Sequence, residues 1–199
     1  MSITRRYTVD DLLQMTPQNG ERLELIDGEL FVSRQPSSDH QYAADEIQSA
    51  LRAWSHDSRL GMAFSAPGLV FDGQNAAAPD VIWMSLQRIA DGRDSAGHFV
   101  IGPELVVEVL SPGSANGCRD RETKLALYSR EGVDEYWIVD LHARHVEILT
   151  RQEGRLRVTT TLPTDGQLTS SLLPGFRLRV DRLWVPAWMP TLRSEDERA

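Results

Sequence analysis

The stretch "ELVVEVLSPG", residues 104–113, decides the reading of the fold. Its middle, Leu105-Val106-Val107-Glu108-Val109-Leu110, is aliphatic on both parities apart from one carboxylate. Aliphatic side chains on both parities describe a strand covered on both faces, as at the centre of a sheet. Ser111-Pro112-Gly113 stops it. Burying an unpaired carboxylate is costly, so something must compensate Glu108.

Working outward from that strand, "DVIWMS" (80–85) and "MAFSAPGLVFDG" (62–73) read as strands, joined by the loop "GQNAAAP". Residues 87–102 are polar and contain glycine, which suggests a loop with one helical turn. On the other side, "RDRETKLALYSREGV" predicts a helix over about 119–131, ended by Gly132. "EYWIVD" is a strand with Tyr136 and Trp137 in the core and Glu135 and Asp140 at its ends, and "HVEILTRQEGRLRVTTTL" is a hairpin turning at Glu153-Gly154. Towards the N-terminus, "YTVDDLLQM" is a short helix capped by Thr8, with Asp10 and Asp11 in its first turn. "RLELIDGELFVS" alternates about Asp27-Gly28, a hairpin signal. Tyr42, Ile47, Leu51 and Trp54 fall at helical spacing, which predicts a long helix over about 39–56. These elements make one α/β domain around a mixed sheet over residues 1–185, with a flexible tail at 186–199.

Composition narrows the function. The 199 residues are 41% hydrophobic and 25% charged, with no apolar run near the ~20 residues of a membrane span. "MSITRRYTVDDLLQM" has no apolar h-region, so no secretory signal is expected. A single cysteine, Cys118, suits a reducing compartment, and the cytoplasm is the expected location. A net charge of −8 argues against a large phosphate-binding surface, but not against a small site where bound cations neutralise local acidity. Of 21 basic residues, Lys124 is the one lysine. Where arginine is the default cation, a retained lysine suggests a need for a compact ammonium.

Several chemistries find no support. There is no glycine-rich phosphate loop ending in lysine. "HARH" (His142, His145) is a weak zinc match, and Ser114 in "PGSANG" lacks the spacing of a nucleophile elbow. The carboxylates say more. Asp80 follows Pro79 at the start of one strand, and Glu108 lies within the next. Neighbouring strands are ~4.8 Å apart, so their side chains can converge on one ion. Two carboxylates with water and a phosphate is a usual magnesium arrangement. Lys124, on the following helix, completes a set suited to phosphodiester cleavage.

The motifs "ELIDGEL", "APDV", "ELVVEVLSPGS", "DRETKLALYSREGVDEYWIVD" and "LLPGF", in this order over about residues 7–185, resemble the Uma-two family of bacterial proteins. That family belongs to the PD-(D/E)XK nuclease superfamily. The resemblance implies a restriction-endonuclease-like α/β core, with a mixed central sheet flanked by helices and an N-terminal β-hairpin. By the same resemblance, Asp80 and Glu108 are the motif carboxylates and ligands of Mg2+, for which Mn2+ can substitute. Glu24 matches the hairpin glutamate, and His40 falls on the first long helix. The superfamily's lysine two residues after the glutamate is absent, since Leu110 stands there, and Lys124 matches a lysine displaced onto the next helix.

Each residue also has a structural reading. Glu108 could pair with a buried arginine, Asp80 could cap a turn, and Lys124 could pair with Asp120 one turn back. Glu24 could be a solvated hairpin carboxylate, and His40 a locally satisfied helix-start residue. Tyr128, one turn after Lys124, either leans on the site or packs in the core. The expected function is Mg-dependent hydrolysis of DNA by Asp80, Glu108 and Lys124, with Glu24, His40 and Tyr128 as possible auxiliaries. In that reading a bound cation and not a salt bridge compensates Glu108, and cutting both strands suggests a homodimer. The competing expectation is a catalytically silent nuclease-fold module that binds a protein or nucleic acid.

Overall fold

The computed structural model describes residues 6–18, 21–110 and 120–189. Thr8 caps α1 (Val9–Gln14) in a reciprocal capping box with Asp11. The hairpin strands β1 (Arg22–Ile26) and β2 (Glu29–Ser33) turn through Asp27 and Gly28, both at positive φ (50° and 75°), as a two-residue primed turn requires. Helix α2 (Ser38–Ser58) is longer than expected by a residue or two at each end.

The first departure from the sequence reading follows. "MAFSAPGLVFDG" is two strands in two sheets, β3 (Gly61–Ser65) and β4 (Leu69–Asp72). Ala66 takes φ 44° and Pro67 has no N–H to continue a ladder, so the chain changes sheet there. The expected loop contains β5 (Asn75–Ala77), which pairs with β4 through a tight turn held by the Asp72 carboxylate on the Gln74 and Asn75 nitrogens. Then come β6 (Val81–Ser85), α3 (Leu86–Asp91) and β7 (Leu105–Leu110).

The second departure is in the helix expected over 119–131. Its described part begins with a π-helical turn, Asp120–Lys124, and continues as α4 (Leu125–Arg130). Two anchors hold this turn. Arg121 reaches Glu147 and Asp140, while Lys124 reaches Glu24 and Glu108. The wider turn changes the angle between the two side chains relative to a regular helix. Beyond it lie β8 (Glu135–Asp140), β9 (His145–Gln152), β10 (Arg155–Leu162), β11 (Gln167–Leu168) and β12 (Leu178–Arg179). The expected turn at 111–113, Ser114, Cys118 and the tail from 190 lie outside the described residues.

The main sheet has the order β10-β9-β8-β7-β6-β3, and a smaller sheet has β2-β1-β5-β4. All main-sheet pairs are antiparallel except β7 with β8, where Leu105 faces Glu135 and Leu110 faces Asp140. A parallel pair needs a crossover, and the α4 segment supplies one. β7 is buried along its whole length, as its two-sided aliphatic pattern predicts. Leu105, Val107 and Val109 pack with Ala43, Ile47 and Leu51 of α2. Val106 and Leu110 pack with Leu127 and Tyr128 of α4 on the opposite side. Glu108 shares their parity and so points to the α4 side. Among the described residues, no helix is long and apolar enough to cross a membrane.

Candidate active site

The ion that compensates Glu108 is Lys124. Its ammonium lies 2.7 Å from Glu108 Oε1 and 3.1 Å from Glu24 Oε1, and all three side chains are at most 3% exposed. Three elements distant in sequence therefore meet at one buried cation. Glu24 points inward from β1 and also accepts the Ala78 backbone N–H at 3.0 Å. The solvated hairpin carboxylate considered from the sequence is thus corrected to a buried, bonded one. Tyr128 donates its hydroxyl to Glu108 Oε1 at 2.8 Å, and its ring packs edge-on against Tyr136. Tyr128 thus both packs in the core and touches Glu108. Burial, and then the charges of Glu108 and Glu24, push its phenol well above the ordinary tyrosine range, so it stays a donor.

Asp80 stands just before β6. The register pairs Val81 with Val107, which sets Asp80 opposite Glu108 across the β6–β7 ladder. Its two oxygens have separate partners. Oδ1 accepts from Arg22 Nη1 at 2.9 Å. Oδ2 accepts the Val109 backbone N–H at 2.8 Å and lies 3.2 Å from His40 Nε2. Burial would raise the pKa of this carboxyl, but the His40 contact, the Val109 N–H and the Arg22 charge together hold it at about 2. Asp80 is therefore ionised throughout the neutral range.

His40 is placed by α2, whose N-cap Ser37 accepts the His40 N–H. Its Nε2 faces Asp80, while its Nδ1 is buried with no hydrogen-bond partner among the described residues. Arg22 is the residue that sequence reasoning missed. The signal was present: in a strand, positions 22 and 24 share a face, so a cation two residues before Glu24 points to the same site. Burial would lower the basicity of its guanidinium, but Asp80 first, then Glu108 and Glu24, reverse this and raise it. Arg22 is thus among all three carboxylates.

The six sequence-named residues, Asp80, Glu108, Lys124, Glu24, His40 and Tyr128, gather in one region between the two sheets. The expectation that no salt bridge stands at Glu108 is the part that the structure changes. In the described arrangement, a salt bridge to Lys124 and a hydrogen bond from Tyr128 compensate Glu108. Among the described residues, no group of three or more histidine, cysteine or acidic side chains is set to hold a metal ion. Asp80 and Glu108 nevertheless present the hard oxygen donors magnesium uses, and that ion commonly takes only one or two carboxylates and completes its shell with water and phosphate. The donor chemistry fits.

A mixed sheet carrying acidic residues on adjacent strands and a lysine on the crossover helix defines a restriction-endonuclease-like α/β fold. The family described as "Putative restriction endonuclease", Uma2, matches residues 9–181. The chain belongs to the Uma2 family. Among solved structures it is similar to a crystal structure titled as a "putative nuclease belonging to DUF820" from Anabaena variabilis ATCC 29413. The two share 21% identity at a TM-score of 0.72, over 88% of this chain and 96% of that one. At that identity the likeness speaks for the fold. No protein of curated description matches the chain.

Proposed function

We propose that the protein is a magnesium-dependent endonuclease that hydrolyses phosphodiester bonds of DNA. One observation carries this reading. Glu24, Glu108 and Lys124, with the Asp80–Arg22 pair beside them, bring three carboxylates and two cations from four separate segments of the chain into one largely buried cluster. Buried charge is poor evidence of a purely structural role, because apolar residues of similar volume often stabilise as well or better. Clusters of this kind mark functional sites more often.

In this reading Asp80 and Glu108 hold the ion, which when bound polarises the phosphate and acidifies an attacking water. The chain's own groups do the rest. Asp80 enters the site already ionised, because Arg22, His40 and Val109 favour its charged form. Tyr128 holds Glu108 Oε1 in place and so fixes the orientation of the carboxylate. Lys124 positions the water or meets charge that develops on the phosphate oxygens. Two copies of the chain on a duplex supply the two cuts that a double-strand break needs.

The test is cleavage of duplex DNA by wild type, Asp80→Ala, Glu108→Ala and Lys124→Ala, with Mg2+ or Mn2+ and with a chelator. Wild type is expected to cut only with the ion, and each variant to lose at least a hundredfold, or about 2.7 kcal/mol of transition-state stabilisation. Native rates in Asp80→Ala or Glu108→Ala would place the metal elsewhere.

A second reading is the silent nuclease-fold module, favoured by the direct ion pair between Lys124 and Glu108. It predicts that Mg2+ and Mn2+ leave the melting temperature unchanged, whereas a functional ion site raises it.

A further inference from the structure

We propose that Arg22 binds substrate in the nuclease reaction: one edge of its guanidinium is fixed inside the site, and the other takes a backbone phosphate next to the bond being cut. The inference rests on the endonuclease reading given above. Arg22 Nη1 is committed inward, to the Ala78 carbonyl at 3.0 Å and to Asp80 Oδ1 at 2.9 Å. Those two bonds fix the plane of the guanidinium. Among the described residues, none accepts a hydrogen bond from Nε or Nη2, and neither atom is a buried orphan. The side chain is 28% exposed, against 4% for Asp80 and 2% for Lys124. Of the two cations beside the acidic cluster, Lys124 is enclosed and Arg22 reaches the surface.

The chemistry favours phosphate. A guanidinium presents donors in a planar fork that matches two oxygens of a phosphodiester. At net charge −8, with three carboxylates nearby, a nucleic-acid backbone is repelled unless a cation meets it at the mouth. Arg22 also sits where a phosphate contact serves the reaction. It shares Asp80 with the proposed ion site, so a phosphate held on its outer edge is placed relative to that ion by a single rigid group. The competing role is a strut that only orients Asp80.

The experiment separates the two. A DNA duplex is made as a series, each member carrying one neutral methylphosphonate at a different position around the cut. Wild type, Arg22→Gln and Arg22→Lys are assayed on each with Mn2+. The expected result is a KM raised about tenfold in Arg22→Gln, beyond any fall in kcat that the lost Asp80 contact brings, and a salt slope smaller by about 0.9 for one lost phosphate contact. At one position the methylphosphonate should weaken wild type about tenfold and leave Arg22→Gln unaffected. Arg22→Lys keeps a cation for Asp80 but not the fork, so it too should lose sensitivity at that position, and it serves if Arg22→Gln melts below the assay temperature. A methylphosphonate profile identical to wild type in the folded variant, with the loss confined to kcat, overturns the proposal in favour of the strut. Wild type that cuts none of the duplexes overturns the endonuclease reading itself, and the inference with it.

Discussion

Lys124 is fully enclosed, and its ammonium is held between two carboxylates on different strands. A guanidinium in its place keeps the charge but is larger, planar and unable to sit at one point between Glu24 and Glu108. Lys124→Arg is therefore expected to lose most cleavage activity and to cost about 1–3 kcal/mol of stability from overpacking. Kinetics and urea unfolding of the same preparation check both parts, and native activity in the variant would remove the geometric role. Asp80 gives a prediction in pH. Its folded value is about 2 against an ordinary 3.8, so the folded state favours the charged form. A depressed carboxylate stabilises above its unfolded value, and that contribution fades as pH falls from about 4 towards 2. The stability gap between wild type and Asp80→Asn should accordingly narrow across that window by about 2 kcal/mol, measured by denaturant unfolding at each pH. A gap independent of pH would mean that Asp80 is not held in its charged form.

At the level of elements, the site depends on how closely strands approach. β3 forms one edge of the main sheet and pairs with β6, whose first residue follows Asp80. Gly61 begins β3, and a Cβ there would meet the Met84 carbonyl oxygen at 2.2 Å and the Trp83 ring at 2.4 Å. Neither can yield without moving β6. Gly61→Ala is thus expected to destabilise by about 1–3 kcal/mol, read as a lower denaturation midpoint at unchanged slope. A midpoint equal to wild type would show that β3 can detach from β6 without cost. The π turn at Asp120–Lys124 makes a related point. Helical periodicity gives a regular helix there, but the ion pairs of Arg121 and Lys124, made to strands on either side, accompany a wider turn.

For the whole molecule, charge sets how substrate can arrive. With a net charge of −8, DNA is expected to bind weakly without divalent ions and to bind more tightly when calcium is added. Calcium shares the oxygen-ligand preference of magnesium, so it reports on the acidic cluster. The check is fluorescence anisotropy of a labelled duplex, with and without calcium, over a range of salt. Tight binding in chelator, with a steep salt slope, would point to a broad basic surface and away from an ion-dependent site.

The sequence alone determined the elements whose signals are local. Two-sided aliphatic burial made β7 a central strand, Asp27-Gly28 made the hairpin, and Glu153-Gly154 made the second one. It also singled out Glu108 and Lys124, because a carboxylate in an aliphatic strand and the one lysine of an arginine-rich chain are visible without coordinates. Their pairing was not visible. The sequence reading set a metal ion, not Lys124, against Glu108, since nothing in a separation of sixteen positions specifies a 2.7 Å contact. The division of "MAFSAPGLVFDG" between two sheets, the burial of Glu24 and the place of Arg22 beside Asp80 are likewise tertiary. The physical reason is common to all of them. Hydrogen-bonding pattern and turn chemistry act over a few neighbouring residues, whereas the partner of a buried charge is chosen only when distant strands and a crossover helix close around it.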